Sequence, residues 1–300
     1  MQQQERRGLC WWHGERPLSA KRRALVLGGG GFAASAWEVG LIVGGAATGV
    51  DLRSYDMFLG TSSGARVALH LASGCDLDEL FRQQLSPAPS APASTPTVDW
   101  PKVRAEWARA KEIGGGRAAI LQRVGALAVG IAGSGGADRR KAVAKQLPVQ
   151  IWPEKALVIV AVNAETGERC GFDRNTGVEL VDAVMATTAF WGWPPAFFDG
   201  YHYIDGGFYS SHNADLARGF DQVLILALRS PAASLWLVSL EEAVDSLRAA
   251  GAAVEVVHPD KDCCEAMASF GPMNPAVRAA AARAGRAQGL RLGERGLLPL

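Results

Sequence analysis

The chain has 300 residues, which is enough for one large domain or two modest ones with a substantial core. Hydrophobic residues make up 48% of it and charged residues 20%, and no apolar run approaches the roughly 20 residues that a membrane span needs. The net charge of +1 provides no whole-chain attraction to nucleic acid, so we expect no nucleic-acid partner.

Residues 1–22 are interpreted as a polar leader. They lack the apolar core and the small-residue cleavage site of a secretion signal. The five cysteines show no C-x-x-C motif and no zinc-site spacing, so we expect reduced thiols, no metal site and a cytoplasmic protein. Trp11 and Trp12 with their basic neighbours would suit a membrane interface, but the absence of an apolar helical face favours a disordered or loosely docked arm.

Residues 23–300 are predicted to form a single α/β domain. Residues 24–27 are an all-apolar run typical of a buried strand, and four glycines follow at 28–31. A helix is predicted at about 35–47 and a second strand at 56–59. That strand leads into Gly60-Thr61-Ser62-Ser63-Gly64, and a further helix follows. The alternation predicts a right-handed α/β unit.

A Pro-rich and helical insertion is predicted at residues 86–150. The sequence SPAPSAPASTPTVDWP cannot hold a regular element, whereas residues 102–146 are typical of helices interrupted at the glycines of 114–116 and 133–136. Such an insertion, flexible at its Pro-rich start, either caps a site or lies far from one.

Strand-like runs return later in the chain, at 157–162, 223–228 and 253–257. Helices are predicted between and after them, at 179–185, 240–250 and 275–288. Apolar runs that alternate with helical segments predict a mostly parallel sheet with helices on both faces.

The glycine run after the first strand suits either a phosphate or an oxyanion, because bare peptide N–H groups there can converge beside a helix N-terminus. Gly28-x-Gly30-x-x-Ala33 loosely fits a dinucleotide fingerprint, with Asp51 about 20 residues later. Asp51 precedes a strand instead of closing one, which weakens the nucleotide interpretation.

Ser62 lies in a G-x-S-x-G pattern between a strand and a helix, which is the context of a nucleophile elbow. A serine hydroxyl needs a base to take its proton. Two candidates are present: Asp205 in YIDGGFYS and His258 in VEVVHPD. The order Ser62, Asp205, His258 is that of an α/β-hydrolase triad, so both bases stay open at this point.

Three motifs together carry a family resemblance: LVLGGGGFAASAWEVGL, GTSSGA and DGG, with AVMATTAFWGWPP before DGG and MNPAVRAAAARAGRAQG near the end. From Ala24 to about Leu290 the chain resembles the patatin-like phospholipases, especially the bacterial branch. The resemblance implies a three-layer patatin-like fold and a serine–aspartate dyad without histidine. It implies Ser62 as nucleophile and Asp205 as base, with Gly29, Gly30 and Gly31 as the oxyanion hole and no cofactor.

The chain departs from this pattern at several positions. Many relatives have Arg and Gly after the glycine run, where this chain has Ala33 and Ala34, and the residue after the nucleophile is Ser63 instead of Ala. Trp191 stands where Pro is common. Candidate substrate-lining residues are Phe32, Ser63, Trp191 and Trp193, with core packing as the alternative for the two tryptophans.

The expected activity is hydrolysis of carboxylic esters, lipid acyl esters first, through an acyl-serine intermediate. One alternative is an acyltransferase that passes the acyl group to an alcohol or amine. Another is a non-catalytic or nucleotide-binding protein on the same fold, which the altered glycine loop favours. The expected partner is a small-molecule or lipid ester, with a transient membrane-surface contact through the insertion as a further option. The sequence does not predict an oligomeric state.

Overall fold

The computed structural model describes residues 21–87, 99–131, 136–228 and 237–298. Residues 1–20 of the predicted leader and the Pro-rich stretch 88–98 lie outside these ranges. Arg22 is already attached to the domain, because its amide donates to Asp221 Oδ2 at 2.8 Å.

The described strands form one eight-stranded sheet. In chain order they are β1 (Arg23–Leu27), β2 (Met57–Thr61), β3 (Ala156–Asn163), β4 (Arg169–Phe172), β5 (Ala196–Phe198), β6 (Tyr201–Asp205), β7 (Gln222–Leu226) and β8 (Ala253–Val257). Five of them run parallel in the order β3-β2-β1-β7-β8, and β4, β5 and β6 are antiparallel. Burial on both faces explains why parallel strands such as β2, with the sequence MFLGT, are mostly apolar.

Helices surround the sheet. In chain order they are α1 (Gly31–Ala46), α2 (Ser63–Ala72), α3 (Leu77–Leu85), α4 (Trp100–Ile113), α5 (Gly116–Ile131), α6 (Gly136–Gln146), α7 (Leu180–Thr187), α8 (Leu240–Ala249), α9 (Lys261–Met267) and α10 (Arg278–Glu294). No single described helix has both the length and the apolar character to cross a membrane, although the sharply bent pair α5 and α6 meets those criteria jointly.

Alternate residues of the strands face two different helical layers. Leu25 and Leu27 of β1 pack in a cluster that includes residues of α1, α2 and α10. Ala24 and Val26 point the other way, into a cluster that includes residues of α8. The molecule therefore has three layers, with the sheet between two layers of helices, and the predicted fold class is confirmed.

The described helices of the insertion pack onto the domain. Trp107 of α4 and Leu121 of α5 are buried in a third apolar cluster with Val162 of β3 and Ile204 of β6. The helices therefore cover the end of the sheet where β3 and β6 meet. Whether the insertion acts as a cap stays a prediction.

The first and last helices form the closest helix pair. Gly40 and Gly44 of α1 face Gly285 and Gly289 of α10, and a Cβ at any of the four would lie within 2.4 Å of a backbone oxygen of the other helix. Such a contact brings two backbones together with no side chain between them.

Several elements differ from the sequence prediction. Helix α1 begins at Gly31 instead of about residue 35, because Gly30 and Gly31 adopt positive φ angles that allow the chain to turn directly from β1 into the helix. The short elements α3, α9, β4, β5 and β6 were not predicted. They are only three to nine residues long, so their periodicity is weak.

Candidate active site

Ser62 sits in a sharp turn between β2 and α2. Its backbone has φ 54° and ψ −125°, an unusual conformation for a residue with a side chain. The flanking glycines are required by close packing. A Cβ at Gly60 would lie 2.3 Å from Ala65 Cα, and one at Gly64 would lie 2.3 Å from the carbonyl oxygen of Leu27. The G-x-S-x-G pattern therefore lets strand, turn and helix approach closely enough to present the serine.

The sheet register brings Asp205 to Ser62. Strand β4 pairs antiparallel with one edge of β3, from Ile159 opposite Phe172 to Val162 opposite Arg169. Strands β2 and β6 must therefore share the opposite edge of β3. On that edge Thr61, the last residue of β2, is opposite Val160, and Asp205, the last residue of β6, is opposite Ala161. The two strands approach each other end to end, and the residues at their ends meet.

The two side chains are joined by a short hydrogen bond. Ser62 Oγ donates to Asp205 Oδ2 at 2.6 Å, and the amide of Gly207 donates to Asp205 Oδ1 at 2.7 Å. Asp205 is only 1% exposed, and burial raises its pKa to about 7 against the opposing effects of the Ser62 and Gly207 hydrogen bonds and the charge of Arg139. A carboxylate with a pKa near neutral is basic enough to accept a proton from serine and acidic enough to return it.

The predicted oxyanion glycines differ in their availability. The amide of Gly29 donates to the Ser211 carbonyl at 2.7 Å, so the geometry excludes it as a free donor and corrects the prediction for this residue. The amides of Gly30 and Gly31 donate to no acceptor within the described residues. The loop runs directly past the nucleophile, because a Cβ at Gly29 would lie 3.1 Å from Ser62 Cβ. The role of the Gly30 and Gly31 amides as oxyanion donors stays a prediction.

Three polar residues that the sequence interpretation missed hold this arrangement. Thr187 Oγ1 accepts from the amide of Ser62 at 2.8 Å and donates to the Val160 carbonyl at 2.6 Å. Asn213 Nδ2 donates to Thr61 Oγ1 at 3.1 Å and to the Gly206 carbonyl at 3.2 Å. Asn213 therefore ties the end of β2 to the turn after β6, and Thr187 ties the Ser62 turn to β3.

The third is Arg139 of α6, whose positive charge lowers the pKa of Asp205. It donates to the carbonyls of Met185 and Pro194 and to Thr188 Oγ1, at 2.8 to 3.0 Å. Thr187 lies in the quoted segment AVMATTAFWGWPP, but no local pattern assigns a positioning role to it, to Asn213 or to Arg139, because the partners that define these roles are distant in sequence.

Two of the described histidines, including the candidate base His258, have hydrogen-bond partners away from the dyad. His258 Nδ1 is 2.7 Å from the Ala227 carbonyl, and His212 Nδ1 is 2.7 Å from Ser211 Oγ. Burial lowers the pKa of His212 to about 4, so its ring is neutral. Within the described part of the chain, no imidazole is hydrogen-bonded to Ser62 or Asp205, in contrast with the triad alternative.

Glu38 of α1 is a buried carboxyl near the glycine loop. Burial raises its pKa well above the usual value, against the opposing effect of the Gly28 backbone amide. Burial thus favours the neutral form of this carboxyl over the charged form near the oxyanion donors.

The candidate substrate-lining residues have different surroundings. Trp191 is only 3% exposed and packs edge-on against Phe208, with the ring centroids 4.8 Å apart, so it belongs to the core and does not line an open pocket. Phe32 is 41% exposed at the start of α1. Trp193 is partly exposed, with the Arg139 guanidinium 5.7 Å from its ring centroid. The Ser63 hydroxyl is buried without a partner among the described residues.

No other cluster in the described residues competes with this site. No group of three or more His, Cys, Asp or Glu side chains there could hold a metal ion. A cavity of about 310 Å³ lies at the opposite end of β2 and β3, beside Asp56, Lys155 and Arg174. In open parallel sheets the chemistry belongs at the carboxyl ends of the strands, where Ser62 is found.

Comparison with solved structures finds distant similarities. VipD from Legionella pneumophila is 13% identical with a TM-score of 0.46, and the alignment covers 92% of this chain and 67% of that one. The type III effector protein ExoU is 15% identical with a TM-score of 0.41, over 92% of this chain and 54% of that one. A complex of full-length SpcU with full-length ExoU from Pseudomonas aeruginosa matches at 17% identity and a TM-score of 0.41, over 93% and 53%.

This chain thus spans only about half the length of the ExoU chains that it matches. A search of curated protein sequences finds no match. The model of one protein family, described as patatin-like phospholipase, matches residues 25–218, which is more than half of the chain and includes the glycine run, the Ser62 elbow and the Asp205 turn. The chain therefore belongs to the patatin-like phospholipase family, as its three motifs predicted.

Proposed function

We propose that this protein hydrolyses carboxylic esters, lipid acyl esters first, by a serine–aspartate dyad. The family supports action on lipids, and the observation that carries the finer proposal is the 2.6 Å hydrogen bond from Ser62 Oγ to the buried Asp205 carboxylate. The donor and acceptor have the direction and the distance that nucleophile activation needs.

In the proposed first half-reaction, Ser62 Oγ attacks the ester carbonyl while its proton moves to Asp205. The amides of Gly30 and Gly31 donate to the oxyanion, and one such donor typically contributes about 3 kcal/mol to the lowering of the barrier. The protonated Asp205 then gives its proton to the departing alkoxide. The products of this step are a free alcohol and an acyl-serine.

In the second half-reaction, water replaces the alcohol. Asp205 accepts a proton from water, the resulting hydroxide attacks the acyl-serine carbonyl, and the proton returns to Ser62 Oγ as the carboxylic acid leaves. An alcohol in place of water would yield a transferred acyl group. The acyltransferase alternative therefore differs only in the acceptor.

The test is covalent labelling by a fluorophosphonate together with hydrolysis of p-nitrophenyl esters and phospholipids. Ser62→Ala should abolish both labelling and turnover, because it removes the attacking oxygen. Ser86→Ala, which removes the hydroxyl of an exposed serine at the end of α3, should change neither.

Two outcomes separate the alternatives. Wild-type protein that is not labelled and binds nucleotide tightly would contradict the proposal in favour of a binding protein on this fold. Release of transacylated glycerol in excess of free acid, when glycerol is added, would favour the acyltransferase.

A further inference from the structure

Two arginines from different parts of the chain lie beside the proposed dyad. Arg66 is on α2, one helical turn after Ser62, and Arg139 is on α6 of the insertion. Arg139 is close enough to both Asp205 and Arg66 for their charges to affect its pKa.

Neither arginine forms a salt bridge with a carboxylate in the described part of the chain. Arg139 uses its donors on two carbonyls and a threonine hydroxyl. Arg66 makes a single hydrogen bond to a described residue, from Nη2 to Gln146 Oε1 at 2.6 Å. Most donors of the Arg66 guanidinium thus have no partner among the described residues, and the residue as a whole is half-buried.

The positive charge here exceeds the negative charge. Burial lowers the pKa of Arg66, and burial with the repulsion from Arg66 lowers the pKa of Arg139 to about 10. Arg139 therefore stays protonated at neutral pH, and guanidinium groups such as that of Arg66 keep their proton in proteins. Burial and the charge of Arg66 lower the pKa of His70 to about 4, so that ring is neutral. Asp205 is the one nearby acid that acts on Arg139. The removal of two cations from water costs free energy, and a single carboxylate offsets only part of that cost. A ligand with a second negative charge would offset more of it.

We propose that Arg66, reinforced by the charge of Arg139, is a binding site for a phosphate group next to the dyad. The free fork of a guanidinium matches two phosphate oxygens in a bidentate contact, which an ammonium cannot reproduce. Gln146 holds Arg66 in place from the end of the insertion. A phosphodiester is several bonds away from the acyl carbonyl in a glycerophospholipid, which matches an anion site beside Ser62 and not on it.

This inference rests on the proposed function for its first test, which compares two short-chain substrates with the same acyl groups. One is dihexanoyl-phosphatidylcholine and the other is the uncharged dihexanoylglycerol. Arg66→Gln should reduce the ratio of kcat/KM for the phospholipid to kcat/KM for the diacylglycerol at least tenfold. Arg66→Lys, which keeps the charge but not the fork, should give an intermediate ratio.

Arg82→Gln is the matched control, because Arg82 is an exposed arginine that pairs with Glu79 on α3. It should leave the ratio unchanged. Circular dichroism and melting temperature establish whether each variant is folded. If Arg66→Gln does not fold, the kcat/KM ratio of Arg66→Lys is compared with that of wild type instead. A ratio that is equal in wild type, Arg66→Gln and Arg66→Lys would overturn a role in headgroup recognition.

A second measurement does not depend on turnover. Isothermal calorimetry with inorganic phosphate and with glycerophosphocholine should show binding to wild type and at least tenfold weaker binding to Arg66→Gln. Binding of inorganic phosphate with an unchanged substrate ratio would assign the site to free phosphate. If wild type cleaves neither ester, the proposed function fails, and the calorimetry still decides the anion site. Absence of binding by either ligand, with an unchanged ratio, would overturn the inference entirely.

Discussion

Asp205 is the residue whose surroundings most affect the proposed chemistry. A carboxylate in water has a pKa near 4 and is a weak base, but burial of Asp205 raises its pKa to about 7. Arg139, the Gly207 amide and Ser62 keep the ionised form accessible. The site thus balances a costly buried charge against three stabilising partners, and the result is a base suited to neutral pH.

Asp205→Asn tests this role directly. An amide cannot accept the serine proton, so kcat/KM should fall on the order of 10²–10⁴-fold or more. Ester hydrolysis by purified variant and wild type measures the effect, and Asp78→Asn, on the exposed side of α3, serves as control. Activity within tenfold of wild type would remove Asp205 from the mechanism.

The pH dependence follows from the raised pKa. The base must be ionised, so kcat/KM should be constant above about pH 7 and fall about tenfold per unit below it as Asp205 gains a proton. A histidine base would give a similar acidic limb, so the profile is compared with those of His258→Ala and His212→Ala. Both variants should keep the limb near pH 7. Loss of the limb in either would restore an imidazole to the mechanism.

At the scale of elements, the site depends on close packing between β1, β2 and α2. Gly64 lies directly against the carbonyl oxygens of Leu27 and Gly28, at the mouth of the glycine loop. The nucleophile turn and the oxyanion loop are therefore in contact through backbone alone. Displacement of one element must move Ser62 relative to the amides of Gly30 and Gly31.

Gly64→Ala should separate these elements. The added Cβ would lie 2.3 Å from Leu27 O and 2.4 Å from Gly28 O, and such overpacking typically costs about 1–3 kcal/mol of stability. We also expect a loss of kcat on the order of 10²-fold, because small misplacements of reacting groups have effects of that size. Urea unfolding measures the change in stability, and ester hydrolysis measures the change in kcat.

Gly130→Ala is the matched control for Gly64→Ala. Gly130 is on the exposed side of α5, and a Cβ added there would have no neighbouring atom within 4 Å, so alanine should stabilise the helix by about 0.5–1 kcal/mol. If Gly64→Ala were as stable and as active as Gly130→Ala, the close contact at the elbow would not be a requirement.

At the scale of the whole molecule, the last helix completes the domain. Helix α10 lies outside the part of the chain that the family model matches, yet it packs on α1 through the four glycines described above. Trp37 of α1 also donates to Gln288 of α10 at 2.8 Å. Because α1 begins at the glycine loop, the C-terminal helix supports the element that carries the proposed oxyanion donors.

Gly289→Ala tests this support. A Cβ there would lie 2.2 Å from the Leu41 carbonyl oxygen, so the helices must move apart, and we expect a loss of about 1–3 kcal/mol in the free energy of unfolding. Urea unfolding measures it beside Gly130→Ala. If Gly289→Ala were as stable as wild type, close packing of α10 on α1 would not contribute to the free energy of unfolding.

The sequence by itself determined the features that have short-range causes. Apolar runs predicted β1, β3 and β7, because a buried parallel strand needs apolar residues on both faces. The strand-like run AVEVV predicted β8. The glycine run and G-x-S-x-G marked the turns after β1 and β2, because those backbones need residues without side chains. Together with the Asp205 turn, these motifs also predicted the family.

Only the tertiary structure decided which distant groups meet. The end-to-end approach of β2 and β6 along β3, the engagement of the Gly29 amide by Ser211 and the position of Arg139 all depend on pairings between remote segments. Strand β6 is five residues long and antiparallel, and its partner β3 lies far earlier in the chain. Local patterns report the burial of a residue but not its neighbour, so contacts of this kind arise only when the chain is folded.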